Sequence, residues 1–422
     1  MLIERYNIGI FGKMNSGKSS LINLLTQQQS SIVDTTPGTT TDSKIVLQEI
    51  HGIGPIKLYD TAGVDEQNEL GRKKRMKVYA DLKECDLVLL VIDPSTRNFD
   101  SEKEIIANSR KLGKQVLIIY NIFDSQYGNN IPVLERDIPL LSSYSKLKLR
   151  AVDTTYRTSL INFIIENFES RNQKIELLPF LKKDNHYILV IPMDVETPDG
   201  RYLRPQAMVE EYITRNWAYP TSFRLDLTKA RSKNLENIVE KERFLNVIDS
   251  FKKRPVAVIT DSQAIDVMYE WVPEDVMLTT FSITMTNYLS RGRLNKFAEG
   301  INTLCQLKAG DKVLIAEACN HSRIGEDIGT VQIPNFLRKN FPGVTYEHAF
   351  GKAFEEDLSK YKLIIHCGGC MISPQKQLAR ITDIEYANVP VTNYGIFLSY
   401  IQGEDALKRV LLPWGIRYAS KR

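Results

Sequence analysis

Short apolar runs recur along the chain, most of them followed by stretches with helical spacing, and this alternation predicts parallel sheets flanked by helices. Tyr6–Phe11, Val116–Tyr120, Tyr187–Met193, Ser222–Leu227, Pro255–Thr260, Val276–Thr280, Lys312–Glu317, Tyr361–His366 and Val389–Thr392 read as strands. Helices are expected over Ser20–Thr26, near 205–215 and 234–251, and along Met285–Leu304. The last five strands are expected to share one parallel sheet with helices on both faces. A polar stretch, Asn167–Lys174, reads as a linker, and the turn Glu196–Gly200 comes soon after it. The pattern therefore predicts an α/β protein in three parts, 1–170, 171–262 and 263–422. The middle part is too small to be robust alone and suits an oligomer interface.

Composition narrows the class. The chain has 422 residues, 43% of them apolar and 25% charged, which is ordinary for a globular protein. Its 55 basic and 51 acidic residues leave a net charge of +4, too weak to imply nucleic acid. The basic run Arg72–Arg75 reads as a solvated helix face. No stretch reaches the roughly 20 apolar residues of a membrane span, and Met1 leads straight into a strand-like run with no secretory leader. A cytoplasmic protein is expected, with no membrane partner and with cysteines kept reduced.

The first strand runs into Gly12-Lys-Met-Asn-Ser-Gly-Lys-Ser19, which matches G-x-x-x-x-G-K-S/T between a strand and a helix. Loop amides around Gly12, Ser16, Gly17 and Ser20 and the helix amino terminus would cradle phosphates. Lys18 would reach the β and γ oxygens, and Ser19 would ligate Mg2+. Tyr59-Asp-Thr-Ala-Gly63 supplies Asp60 and Gly63 for the magnesium and γ-phosphate side. Between them the threonine-rich Pro37–Asp42, with Thr40 as its candidate contact, suits a segment ordered by the nucleotide. Asn121-Ile-Phe-Asp124 follows a later strand, and Asp124 can accept from the guanine N1 and N2 groups. These features predict a GTP switch whose catalytic set is Lys18, Thr40, Asp60 and Gly63. Ile122 departs from the familiar N-K-x-D. Val64 stands where Ras-like enzymes have a glutamine, and Asn15 occupies the loop position at which the similar tRNA-modification GTPase TrmE and its relatives hold K+. Slow, potassium-dependent hydrolysis is expected.

Three of the five cysteines stand at the ends of apolar runs. Val313–Ala316 is followed by Cys319 and His321, and Tyr361–His366 by Cys367-Gly-Gly-Cys370. If both runs are parallel strands, Cys319, Cys367 and Cys370 converge at one rim, where Asp261-Ser262 and Asn393-Tyr394-Gly395 also follow strands. Three thiolates with His321, His366, Glu326 and Asp327 nearby fit a 4Fe-4S cluster with one non-cysteine ligand, or a Cys3His zinc site. Cys85 and Cys305 read as core packing, and His186 as structural.

C-x-H at Cys319–His321 and H-C-x-x-C at His366–Cys370, downstream of a potassium-type GTPase, closely resemble the FeFe hydrogenase maturation GTPases, the HydF family. Ile259–Gln263, Phe281–Ile283 and Thr392–Gly395 belong to the same resemblance. It implies a homodimer of GTPase, dimerisation and iron-sulfur cluster domains. Cys319, Cys367 and Cys370 would hold the 4Fe-4S cluster, with His321, Glu326 or His366 as fourth ligand or neighbour. Two radical-SAM maturases would build a transient diiron subcluster on this scaffold, which then delivers it to apo FeFe hydrogenase. Ser322 departs from the family where many relatives have histidine. Two other readings stand beside this one: a tRNA-modifying GTPase, which the near-neutral charge disfavours, and a GTP-switched interaction module with a structural zinc site.

Overall fold

The computed structural model describes residues 5–27, 44–61, 69–168, 175–192, 202–317, 327–350, 357–368 and 374–419. They fall into two compact units, 1–171 and 172–422.

The first unit is built on β1 (Tyr6–Phe11), β2 (Lys44–Ile50), β3 (Gly54–Asp60), β4 (Leu87–Ile92), β5 (Gln115–Asn121) and β6 (Lys146–Leu149). They lie in the order β2-β3-β1-β4-β5-β6, with β2 antiparallel to β3 and the other neighbours parallel. Helices α1 (Lys18–Thr26), α2 (Glu69–Glu84), α3 (Asp100–Lys111), α4 (Ile131–Asp137) and α5 (Arg157–Asn167) connect or follow the strands. Every residue of β4 is buried, as a strand covered on both faces requires. The chain passes from β1 to β3 on one side and to β4 on the other, so the strand order reverses beside β1. Such a switch point is where open α/β sheets bind ligands. Cys85 follows α2, fully buried, and a Cβ on Gly9 would lie 2.4 Å from its sulfur, so its role is close packing.

The second unit holds two parallel sheets. The first contains β7 (His186–Pro192), β8 (Tyr219–Leu225), β9 (Ala257–Thr260) and β10 (Met277–Thr280) in the order β10-β9-β7-β8. The second contains β11 (Lys312–Glu317), β12 (Thr345–Phe350), β13 (Leu363–His366) and β14 (Val391–Asn393) in the order β12-β11-β13-β14. The single sheet expected for the last five strands is thus corrected: β9 and β10 extend the sheet begun by β7, with Tyr187 opposite Ala257. Apolar runs of this kind report burial but not which neighbour is chosen. The expected boundary at 262–263 falls inside the first sheet, between β9 and β10. β12 went unpredicted because Thr345, Glu347 and His348 dilute its apolar signal.

The helices of this unit are α6 (Arg204–Arg215), α7 (Leu227–Ala230), α8 (Leu235–Asp249), α9 (Ile265–Trp271), α10 (Phe281–Leu289), α11 (Leu294–Gly300), α12 (Ile333–Asn340), α13 (Pro374–Tyr386), α14 (Tyr394–Ile401) and α15 (Glu404–Leu411). The expected helix along Met285–Leu304 is broken in two, because Arg291 (φ 54°) and Gly292 (φ 79°) take left-handed conformations that end α10. Cys305, expected in the core, is exposed in the following 3-10 turn with its sulfur 3.0 Å from the Tyr400 hydroxyl. His186 lies against the rings of Tyr219 and Phe251, at centroid distances of 5.2 and 4.4 Å, in a packing role. One apolar core runs through both sheets, joining Val258 and Leu278 to Ile315, Ile364 and Ile396. Each such side chain contributes roughly 1.5–3 kcal/mol by burial. Among the described residues, no helix is long and apolar enough to cross a membrane.

Candidate nucleotide and metal sites

In the first unit the turn after β1 depends on two glycines. Gly12 has φ 148°, and a Cβ there would meet the Val91 carbonyl at 2.3 Å. Gly17 has φ 97°, and a Cβ there would overlap the Asn121 amide nitrogen at 2.0 Å. Asn15 also takes a left-handed φ of 62° and is exposed on the loop. The loop closes on the amino end of α1, where the helix dipole and free amides favour an anion. Lys18 is buried, and its ammonium donates to the carbonyls of Gly12 (3.1 Å) and Lys13 (2.6 Å). The Ser16 hydroxyl is buried and has no hydrogen-bond partner among the described residues, consistent with a loop shaped for a ligand. Ser20 is half-buried at the start of α1.

On the neighbouring strand end, the Ser19 hydroxyl donates to Asp60 Oδ2 at 3.0 Å. A hydroxyl and a carboxylate so close at a strand end are suitable oxygen donors for Mg2+. Thr61 donates to the Ile10 carbonyl at 2.7 Å, tying the D-T-A-G motif to β1. Thr40, Gly63 and Val64 lie outside the described residues.

At the far side, Asn121 ends β5 and is buried. Its Nδ2 donates to the Ser16 carbonyl (2.9 Å), while its Oδ1 accepts from the Ala151 amide (2.9 Å). One side chain thus joins the phosphate loop, β5 and the segment after β6. Ala151 was missed in the sequence, since it acts through its backbone and leaves no side-chain signal. Asp124 is exposed, accepting from Gln126 N at 3.1 Å and Gln126 Nε2 at 3.3 Å, with its position set by that turn. Ile122 is half-buried and donates its amide to the Leu149 carbonyl at 2.8 Å, so no ammonium stands at its position.

In the second unit Cys367 directly follows β13 and is half-buried, its amide donating to the Ala316 carbonyl at 2.9 Å. β11 pairs with β13 with Ala316 opposite His366, and ends at Glu317, two residues before Cys319. Cys319, His321, Glu326 and Cys370 lie outside the described residues. Among the described residues, no group of three or more metal-ligating side chains occurs. The donor chemistry that is described fits a thiolate site: a half-buried cysteine at the carboxyl end of a parallel strand, beside the end of β11.

His366 is buried behind that cysteine. Its Nδ1 lies 2.5 Å from the Cys367 carbonyl and its Nε2 3.4 Å from Arg380 Nη1. Burial and then the Arg380 charge push the imidazole down to about 3, so it is neutral, with Nδ1–H donating and Nε2 accepting. Glu317 is buried and accepts from the Tyr394 hydroxyl at 3.1 Å. Burial first, then the fields of Cys367, Glu317 and Asp327, raises the Tyr394 phenol far above its usual value. Asp327 accepts from the Thr330 amide (2.6 Å) and hydroxyl (2.7 Å) at the turn before α12. Glu317 was not singled out in the sequence, because it looks like an ordinary strand end until its partner Tyr394, already expected at the rim, is known.

Three family models match the chain. A 50S ribosome-binding GTPase model matches residues 7–122, a hydrogen maturase F dimerization domain residues 226–290, and a hydrogen maturase F tetramerization domain residues 295–413. Relatives include GTPase Der of a Nitratiruptor species, 36% identical over 28% of this chain and 25% of that protein. The tRNA modification GTPase MnmE of Geobacter sulfurreducens is 37% identical over 31% of this chain and 28% of that protein. The chain therefore spans about a quarter of these curated relatives. Among solved structures, Era of Aquifex aeolicus matches 40% of this chain and 58% of its own at 23% identity and TM-score 0.34. The G domain of the T. maritima FeoB iron transporter matches 39% of this chain and 98% of its own at 22% identity and TM-score 0.29.

Proposed function

Because the chain belongs to the hydrogen maturase F family, we propose that it is a GTPase of FeFe hydrogenase maturation, a self-associating scaffold that assembles a diiron unit and delivers it to the apo-hydrogenase. The observation that carries this reading is the presence, in one chain, of a P-loop GTPase match at 7–122 and two hydrogen maturase F matches at 226–290 and 295–413. Similarity to a tRNA modification GTPase is confined to under a third of the chain.

On the nucleotide side, the amides of the Gly12–Ser19 loop and the start of α1 bind the phosphates, and Lys18 exchanges its loop carbonyls for phosphate oxygens. Ser19 and Asp60 would hold Mg2+, with Thr40 and Gly63 completing the γ-phosphate side. Asn15 would hold K+, which supplies positive charge to the transferring phosphoryl group in place of an arginine. Asp124 selects guanine by accepting from its N1 and N2 donors, while Asn121 locks the loop to the base-reading edge.

On the metal side, Cys319, Cys367 and Cys370 would hold a 4Fe-4S cluster, which when bound supplies an iron with an exchangeable ligand position. Neutral His366 holds the Cys367 backbone in place, and His321 and Glu326 are the candidates for the fourth position. The cargo, a diiron subcluster made by two radical-SAM maturases, is a substrate that this site receives and releases. Dimerisation and tetramerisation matches support self-association, which we read as a homodimer at least.

The test is hydrogenase activation. Apo FeFe hydrogenase co-produced with both maturases and this chain is expected to evolve hydrogen, and to stay inactive when the chain carries Cys367→Ala. Equal activation by Cys367→Ala and the parent chain would sink the reading.

A further inference from the structure

β5 ends at Asn121, and in extended chain successive side chains go to opposite sides, which sets Phe123 with Asn121 and Ile122 against them. The contacts agree with this. Ile122 is half-buried, and its Cδ1 lies 3.7 Å from where a Cβ on Gly128 would stand, so its side chain packs into the turn over residues 125–130. Phe123 goes the other way. A Cβ on Gly17, in the phosphate loop, would lie 2.0 Å from Asn121 Nδ2 and 3.5 Å from Phe123 Cζ, so the tip of the phenyl ring stands beside Asn121 and against the loop.

The ring is not a core group. Phe123 is 38% exposed, although Asn121 beside it and Ser16 in the loop are each only 1% exposed. Asp124, the next residue, is also exposed and is held in place by the Gln126 amide at 3.1 Å. A carboxylate that reads the edge of a guanine leaves both flat faces of the base to be covered, and an aromatic side chain covers such a face well. An exposed phenyl one residue before that carboxylate, with its tip on the phosphate loop, spans the interval between the base-reading edge and the phosphates. A second exposed apolar side chain, Val152 at 61%, follows Ala151, whose amide donates to the same Asn121 at 2.9 Å. Apolar surface therefore borders this edge on two segments, where a flat heterocycle would cover it.

We infer that Phe123 is the stacking face for the base of the bound nucleotide, taking up the role of a base contact that Ile122, turned into its own turn, does not fill. Every nucleobase has a π-face, so stacking on Phe123 adds affinity for a nucleotide over bare phosphates without choosing among bases. The choice of guanine stays with Asp124. Phe123 is thus a positioning residue that holds the base flat while the carboxylate reads its edge. The inference rests on the guanine-nucleotide reading of the first unit and adds to it a residue with no place in the motif.

The test separates the base from the phosphates. The full chain and its Phe123→Ala and Phe123→Trp variants are titrated calorimetrically with GDP, with ADP and with pyrophosphate in the presence of Mg2+, and circular dichroism is recorded for each. GDP affinity is expected to fall about tenfold in Phe123→Ala, as loss of one base–aromatic stack implies, while pyrophosphate affinity and the preference for GDP over ADP stay unchanged. Phe123→Trp should keep GDP affinity, and the fluorescence of its added indole should be quenched by GDP but not by pyrophosphate. Unchanged GDP affinity in Phe123→Ala, or an indole in Phe123→Trp that does not respond to GDP, overturns the inference and leaves the guanine-nucleotide reading intact. An equal fall for GDP and pyrophosphate also overturns it, since Phe123 would then only prop the loop at Gly17. Failure of the parent chain to bind GDP overturns both.

Discussion

Replacing Asn121 by alanine removes a side chain that joins the phosphate loop to the ends of β5 and β6. Asn121 is 1% exposed, and it makes 2.9 Å hydrogen bonds in both directions, to the Ser16 carbonyl and from the Ala151 amide. Each such bond is worth about 1 kcal/mol net, and the stranded carbonyl and amide add a desolvation cost, giving about 3 kcal/mol in all. For a unit of this size that is a fall of about 6–12 °C in the Tm of the first unit. Because the Asn121 amide also abuts Gly17, the loop loses its wall, and guanine nucleotide affinity should drop about tenfold or more. Asn121→Asp keeps the acceptor for Ala151 but sets a second oxygen against the Ser16 carbonyl, so it should be no better. The assay is thermal unfolding of nucleotide-free protein followed by circular dichroism, with a parallel GDP titration. A Tm change under about 2 °C together with unchanged GDP affinity would refute the reasoning.

Hydrolysis should run faster in potassium than in sodium, and Asn15→Ala should lose that difference; equal rates in both salts, or an Asn15→Ala chain that keeps the response, would count against a potassium site. Lys18→Ala should abolish turnover in any salt, read as phosphate release. GTP should be preferred despite Ile122, and Asp124→Asn should weaken guanine binding; ATP competing as well as GDP does would contradict the assigned base-reading edge.

What the sequence made legible was chiefly what is carried by backbone-demanding residues. Gly12 and Gly17 announce the loop because no other residue fits their φ angles, and the strand before and helix after it follow from local pattern. The register of strands across the second unit left no such mark. β9 and β10 are as apolar as β11 and β13, so nothing local says that they join β7 instead. The rim expected to gather Asp261-Ser262, Cys367 and Asn393–Gly395 is formed by two sheets, with Ser262 and Gly395 brought together across more than a hundred residues of chain. Ala151 and Glu317 were invisible for a related reason, since a backbone amide and a strand-end carboxylate acquire meaning only through Asn121 and Tyr394. Helix continuity over Met285–Leu304 failed at Arg291, where a non-glycine residue adopts a left-handed turn that residue type does not advertise.

The central claim, a GTPase chain that holds an iron-sulfur cluster through Cys367 and its partner cysteines, is tested most directly by anaerobic reconstitution with iron and sulfide. Metal analysis and EPR of the reduced protein would be run on the parent chain and on Cys367→Ala. The account predicts about four iron atoms per chain and a 4Fe-4S signal in the parent, both lost in Cys367→Ala while GTP hydrolysis persists. Stoichiometric zinc in place of iron, or full iron content in Cys367→Ala, would contradict it.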